Sequence, residues 1–440
     1  MPANSVFSRF LCFALLACSS LTATTSPATA TPLPANDDAF LDDLEHRSFN
    51  FFWELGNPET GLMPNRAHAD GTANSGITSI AVIGFGLTSY CIGVERGWVP
   101  RAQAEARVEA TLKFLLANTP DEHGFLPHFL DLKTGKRAWN SEFSSIDTAL
   151  LLHGVLTARQ YFSGPRVTPL ATKIYERIDW PWMMDGKATL GMGWKPEAGF
   201  LPWHWEKFSE HLGMTLLAIA SPTHPLPAET WKAWKRGPFA TFEGKKFVQY
   251  PPLFVHQFPQ AWWDFRGWRD GELEYFSNSR TATLAQRAFC VSLKDKFPGY
   301  DENIWGLTSS DSAKGYTDWG GPPIDGGKIN PRIDGSVVPC AAAGSLPFAP
   351  HECLAALKTM RERFGDRIYG RFGFADAFHP TNGWTNRDVL GLDVGITLLM
   401  AENYRTGFVW KWFAKNPEVS KAMALAGFER CAVATGETAN

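Results

Sequence analysis

Long segments of nearly uniform apolarity alternate along this chain with segments that are apolar on one face only. Residues 76–98 are apolar almost all round and studded with Ala81, Gly84, Gly86, Ser89 and Gly93, a pattern that demands burial on every side. Residues 101–118 are two-faced, with Ala104, Val108, Leu112 and Leu115 opposite Arg107, Glu109 and Lys113. The alternation recurs. The spacing predicts an amphipathic helix over 37–55 capped by Asn36 or Asp37, an apolar one over 139–162, and a short two-faced one over 168–179. Residues 206–220 follow with Phe208, Leu212, Leu216 and Ile219 inward; 279–297 and 350–364 are amphipathic, and 391–404 is again mostly apolar. Between them lie loops rich in Gly, Pro and Trp at 180–205, 236–275 and 299–349, far longer than ordinary connections. Period-two alternation is confined to pieces such as Lys246–Gln249. The economical solution is all-α: an inner ring of apolar helices inside an outer ring of amphipathic ones. This is an (α/α)6 toroid of about six hairpins, with the long loops gathered around one mouth. A helical solenoid would need a fixed repeat, and the sequence has none.

One domain over 36–430 accommodates this pattern, with 431–440 left as a tail. Net charge is −3 with no basic run, which excludes a nucleic-acid partner. Residues 1–30 read as a signal and processing region: Arg9 precedes the apolar run Phe10–Leu16, and Ala28-Thr29-Ala30 offers a small-x-small cleavage site. Leu15-Leu16-Ala17-Cys18 also resembles a lipoprotein box, so two export routes stay open, one releasing the protein to the periplasm and one leaving a lipid anchor at Cys18. No later stretch is apolar for long enough to span a bilayer. Cys91, Cys290, Cys340, Cys353 and Cys431 are scattered without paired metal spacing, and are expected to be buried and inert, forming at most one or two disulfides. A monomer is expected.

The chemistry gathers where acids meet tryptophan-bearing loops. Trp139 leads to Glu142 and Asp147, whose five-residue separation is about 140° on a helix, so the two share a helix end and not a face; Ser144 is placed to cap, three residues before Asp147. Trp203, His204 and Trp205 precede Glu206 and Glu210. Trp305 precedes Asp311, Trp319 follows it, and Trp384 leads towards Asp393. Acid plus indole, four times over, suits a sugar site: aromatic faces stack on pyranose rings, and glycosidic cleavage requires two carboxyls, one protonated. A carboxyl against indole in a partly dry pocket acquires the raised pKa an acid needs. Each acid has a structural reading too. Glu206 and Glu210 could complement a helix N-terminus, Asp311 could form an Asx turn, and Asp393 could cap the last inner helix. His204, His211 and His256 form no HExxH or close His/Cys cluster, so neither metal nor cofactor is expected. Serine-hydrolase elbows, Walker loops and dinucleotide fingerprints are absent.

At these motifs the chain resembles the glycoamylase-like endo-β-1,2-glucanases of glycoside hydrolase family 144, and is similar to a glucanase-like region of cyclic β-1,2-glucan synthases. The resemblance runs from about Phe40 to Phe428. Its segments are Ser141-Glu142 through Leu150, Glu210 with Ala220–Leu226, Trp305–Thr308 with Ser310-Asp311, Asp334–Phe348, and Leu392-Asp393 leading to Glu402–Arg405. It implies an (α/α)6 barrel and metal-free, inverting endo-cleavage of β-1,2-glucan. Glu210 then stands at the general-acid position, with Glu142 and Asp147 in the acidic cluster across the cleft. Trp139, Trp203, His204, Trp205, Trp305, Asp311, Trp319, Trp384 and Asp393 are the expected substrate contacts. Two departures stand out: Phe208-Ser209-Glu210 where relatives carry Tyr-Asn-Glu, and Val394 and Ile396 where Gln and Pro are frequent. A transglycosylase and a non-catalytic glycan-binding lipoprotein are the alternatives.

Overall fold

The structure, a computed structural model, describes residues 34–431. The segment read as an export signal, Cys18 and the tail beyond Cys431 lie outside the described residues. Fifteen α-helices are found among those described: α1 (Ala35–Leu55), α2 (Ile80–Glu95), α3 (Arg101–Ala117), α4 (Ser145–Tyr161), α5 (Thr168–Glu176), α6 (Trp180–Met183), α7 (Leu212–Ala220), α8 (Thr230–Ala233), α9 (Phe254–Trp262), α10 (Tyr275–Ser292), α11 (Pro339–Ala343), α12 (Pro350–Phe364), α13 (Gly391–Thr406), α14 (Phe408–Phe413) and α15 (Pro417–Leu425). The buried ones close a ring. α2 packs on α4, α4 on α7, and α7 on α9. Gln257 of α9 bonds to Ala341 O and to Ser345 Oγ just past α11, α11 packs on α13, and α13 returns to α2. The two-faced helices α1, α3, α5, α10 and α12 lie outside with one face buried. This is the (α/α)6 toroid that the alternation predicts.

The small residues of the inner helices permit their approach. A Cβ on Gly154 would lie 2.0 Å from Gly84 O, and one on Gly84 2.2 Å from Leu150 O, so α2 and α4 cross in backbone contact where only glycine fits. At the base, Trp263 Nε1 donates to His153 Nε2 at 2.8 Å while His153 Nδ1 donates to Ala149 O at 2.6 Å. Burial pushes that imidazole down to about 3, and the two bonds fix its neutral tautomer.

Several boundaries differ from the sequence reading. α1 starts at Ala35 with Pro34 before it, and neither Asn36 nor Asp37 caps it; Asp37 and Asp38 lie in its first turn, where their charge suits the helix dipole. Glu206 to His211 is irregular, because Phe208 N–H donates to Lys235 O and Lys235 N–H to Glu206 O, a short pairing that postpones α7 to Leu212. Glu206 and Glu210 therefore share no helix face. Two inner helices sit inside segments expected to be loops: α9, nine residues with Pro259 inside it, and the five-residue α11. All five described cysteines are free, Cys431 half-buried and the others buried. Short antiparallel strand pairs brace the mouth, Arg66–His68 with Asp388–Leu390 and Phe143-Ser144 with Gly193–Lys195.

Candidate active site

The mouth lies at the N-terminal ends of α4, α7 and α13. Ser144 caps α4 as its spacing predicts: Asp147 N–H donates to Ser144 Oγ at 3.2 Å, and the hydroxyl donates to Asp147 Oδ2 at 2.6 Å. Glu142 lies just outside the helix, before the short strand at Phe143, and its backbone carbonyl accepts from His128 N–H at 2.8 Å. That contact brings the His128 ring between the two acids. Its Nδ1 is 3.0 Å from Glu142 Oε1 and its Nε2 3.4 Å from Asp147 Oδ1, with the Phe129 ring stacked 3.8 Å away. Burial pulls the His128 pKa down, but Asp147 and Glu142 together overcome it and hold the ring above its ordinary value. The bond from His128 holds Glu142 below the usual carboxylate range against its partial burial. Burial raises Asp147, with His128 and Ser144 opposing.

These three side chains could offer one ligand atom each within 4.8 Å of one another, the spacing of a cation site. The donor set does not fit one. Both imidazole nitrogens already face different carboxylates, and Asp147 Oδ2 is held by Ser144, so no common point receives three free lone pairs.

Glu210 stands two residues before α7 with Ser209 Oγ donating to its Oε2. Burial raises its pKa; the Ser209 bond opposes, and the charges of Asp147 and Asp318 add to the rise. Two cavities meet at this carboxyl. An inner one of about 230 Å³ is lined by His128, Asp147, Glu210, Tyr316 and Asp393 among others. An outer one of about 460 Å³ runs from Glu210 and Phe254 past Tyr250 to Trp203.

A second acidic wall faces the inner cavity from α13. Asp393, in the first turn of that helix, reaches the cavity, and the fully buried Asp376 lies behind it. Asp376 Oδ2 accepts from Asn386 Nδ2 at 2.7 Å and from Asp311 N–H at 2.9 Å. Burial lifts Asp376 to about 6 against bonds from Asp393, Asn386 and the Asp311 backbone. Asp393 is lifted well above its ordinary value by burial and then by the Asp376 charge, so the two carboxyls titrate against each other. Asp311 is fastened to Arg66 Nη1 at 2.6 Å, with Asn386 Nδ2 3.1 Å away.

Of the residues expected here, the structure brings Glu210, Asp147 and Asp393 onto one cavity. Glu142 joins them through His128, and Asp311 stands behind Asp376. Trp203, 62% exposed, and the buried His204 and Trp205 line the outer cavity; Trp205 is committed to Ser145 Oγ at 3.0 Å and His204 Nδ1 to Thr189 O at 2.8 Å. Trp139 is exposed against Phe129 beside the Glu142 wall. The expectation fails for Trp305 and Trp319. Both are fully buried, Trp319 donating to Ser310 Oγ at 2.8 Å, so no sugar face can reach them. Trp384 packs half-buried against the core and borders neither cavity. Sequence reasoning missed His128, Asp376, Tyr250 and Tyr316. The tyrosines stand in the long loops 236–275 and 299–349 expected around the mouth; His128 had no local signal, because its partners lie 14 and 19 positions on.

With the site in place, comparison with known proteins is informative. A family model, Glycoamylase ("Putative glucoamylase"), matches residues 202–417. A solved structure under the same designation, from Bacteroides fragilis NCTC 9343, is 31% identical, with a TM-score of 0.81 over 92% of this chain and all of that one. The chain belongs to the glycoamylase-like family. An endo-β-1,2-glucanase from Chitinophaga pinensis, solved with sophorotriose and glucose, is 28% identical with a TM-score of 0.80, covering 90% of this chain and 99% of that one. A curated relative from Parabacteroides distasonis, an exo β-1,2-glucooligosaccharide sophorohydrolase acting at the non-reducing end, is 25% identical over 90% of this chain. This glycoamylase-like chain spans only 58% of the length of that relative.

Proposed function

We propose that this protein is an exported glycoside hydrolase that cleaves β-1,2-glucan internally and with inversion. The observation that carries the reading is Glu210, a carboxyl whose pKa is raised by burial and which stands where two cavities meet. A protonated Glu210 donates to the glycosidic oxygen as the bond to the leaving sugar breaks. A water on the opposite face of the ring attacks the anomeric carbon, and its proton passes to the Glu142 and Asp147 wall, Glu142 being the acid held ionised. Asp393 and Tyr316, across the inner cavity, supply a hydrogen-bond donor and an aromatic surface for the sugar. Support for internal cleavage comes from the outer cavity, which continues past Glu210 towards exposed Trp203 and leaves room for chain on both sides of the broken bond.

The Parabacteroides relative favours a second reading, release of sophorose from chain ends. Reducing-end release and product profile from linear β-1,2-glucan, beside β-1,3- and β-1,4-glucans, decide between them. Mixed short oligosaccharides from the β-1,2 polymer alone, abolished in Glu210→Gln, are expected. Sophorose as sole early product would replace endo with exo action. Longer or cyclic glucans would make the protein a transglycosylase, and binding without new reducing ends would make it a glycan-binding protein.

A further inference from the structure

His128 has no role in the reaction as written, yet among the described residues it is the one side chain that touches both acids of the water-side wall. A neutral imidazole donates from one nitrogen only, and would turn the lone pair of the other towards a carboxylate. With Glu142 Oε1 at Nδ1 and Asp147 Oδ1 at Nε2, the geometry selects the doubly protonated ring. The ring is also held from outside: its own N–H donates to Glu142 O, its carbonyl accepts from Ile80 N–H at the start of α2, and Phe129 stacks on its face. Glu142, lying in the chain outside α4, depends on such a contact for its position relative to Asp147, whereas Asp147 is already fixed by Ser144.

We propose that His128 is a positioning residue: as a cation bridging Glu142 and Asp147, it sets their separation and keeps Glu142 ionised and ready to accept a proton from water. This rests on the hydrolase reading above. The charged groups around the ring are Glu142 and Asp147 in direct contact, Glu210 beyond Asp147, and Lys195 beside Glu142. Removing the cation raises the pKa of the carboxyls it faced, so an acid that must be ionised becomes so only at higher pH.

Two measurements test this. In the pH profile of kcat/KM on β-1,2-glucan, His128→Gln keeps a hydrogen-bond donor without the charge, and its acidic limb should move up by about one pH unit with kcat about tenfold lower. A profile that falls in height with its limb unmoved would mean a merely structural histidine and overturn the proposal. The second needs no activity: in an NMR titration of the wild-type ring, His128 should titrate above its ordinary 6.5 and shift down in Glu142→Gln. Titration at or below that value overturns the proposal even if the variant in the first experiment fails to fold. Should the ring titrate high while the wild-type protein cleaves no glucan, the bridge stands and the hydrolase reading falls.

Discussion

Helix α13 joins two acidic clusters that look alike in composition and differ in what surrounds them. At its C-terminal end, buried Glu402 and Glu45 face two guanidiniums: Arg96 reaches Glu402 at 2.7 Å and Glu45 at 3.2 Å, and Arg405 reaches Glu45 at 2.7 Å. At its N-terminal end, Asp393 is raised by the Asp376 charge beside it, Glu210 accepts from the Ser209 hydroxyl, and Glu142 and Asp147 divide one imidazole. Burial raises Glu45 too, with the Glu402 charge adding and Arg405 and Arg96 opposing. A raised pKa therefore does not distinguish a reactive acid from a structural one. Access does: Glu45 is sealed between α1, α2 and α13, while Glu210 borders two cavities.

The largest test of that contrast is Glu210→Gln. Loss of a general acid should lower kcat by a factor of about 10³, or about 4 kcal/mol in the barrier, while the urea midpoint stays put or rises because a charge is no longer held in a dry site. Activity within tenfold of wild type would remove Glu210 from its role. The mirror experiment is Arg405→Ala at the far end. Leaving Glu45 without that partner should cost about 3 kcal/mol of stability by urea denaturation, with turnover per folded molecule unchanged. An Arg405 variant that unfolds no more easily but turns over slowly would mean that the two ends are coupled through α13.

A third effect, of similar size but spread over a pH range, appears in the pH dependence of stability. Asp376 titrates near 3.8 when unfolded and is lifted to about 6 in the fold. Between about pH 4 and 6 the folded state holds a proton on Asp376 that the unfolded chain has lost, so the Asp376 contribution makes stability fall as pH rises through that window, and the raised Asp393 extends the fall above it. The fall due to Asp376 should be about 3 kcal/mol, and Asp376→Asn should remove that part of it and leave the variant the more stable protein above pH 6. An unchanged slope would place the proton taken up in that window on another group.

The ring was legible in the sequence because a helix buried on all sides needs small residues where backbones touch, and Gly84 and Gly154 announce that contact. α9 and α11 were not legible. At nine and five residues they are too short for a 3.6 period to show, and their helicity comes from packing, with Gln257 tying one to the other. Within the site, Glu210, Glu142, Asp147 and Asp393 stood out because each lies beside a helix start. His128 and Asp376 did not, since what makes them part of the site is contact across the chain, Asp376 meeting the Asp311 backbone 65 positions away. The tryptophans divide for a related reason. Indole plugs a helix end or stacks on a sugar equally well, and only the exposure of the finished fold separates Trp305 from Trp203.

That division yields the smallest and most selective prediction. Trp203 stands 62% exposed on the outer cavity, so its truncation removes little packing and should leave the urea midpoint unmoved. If it stacks on a sugar beyond Glu210, Trp203→Ala loses a face worth about 1 kcal/mol to bound substrate, and KM for β-1,2-glucan should rise about fivefold. An unchanged kcat is expected because the stacked sugar lies away from the bond being broken and is held equally in ground and transition states. Chain length sharpens the point: the penalty should be largest for long glucans and fade for oligosaccharides too short to span both cavities. A KM that rises equally for every length would place Trp203 next to the cleaved bond, and with it would shrink the room beyond Glu210 on which internal cleavage depends.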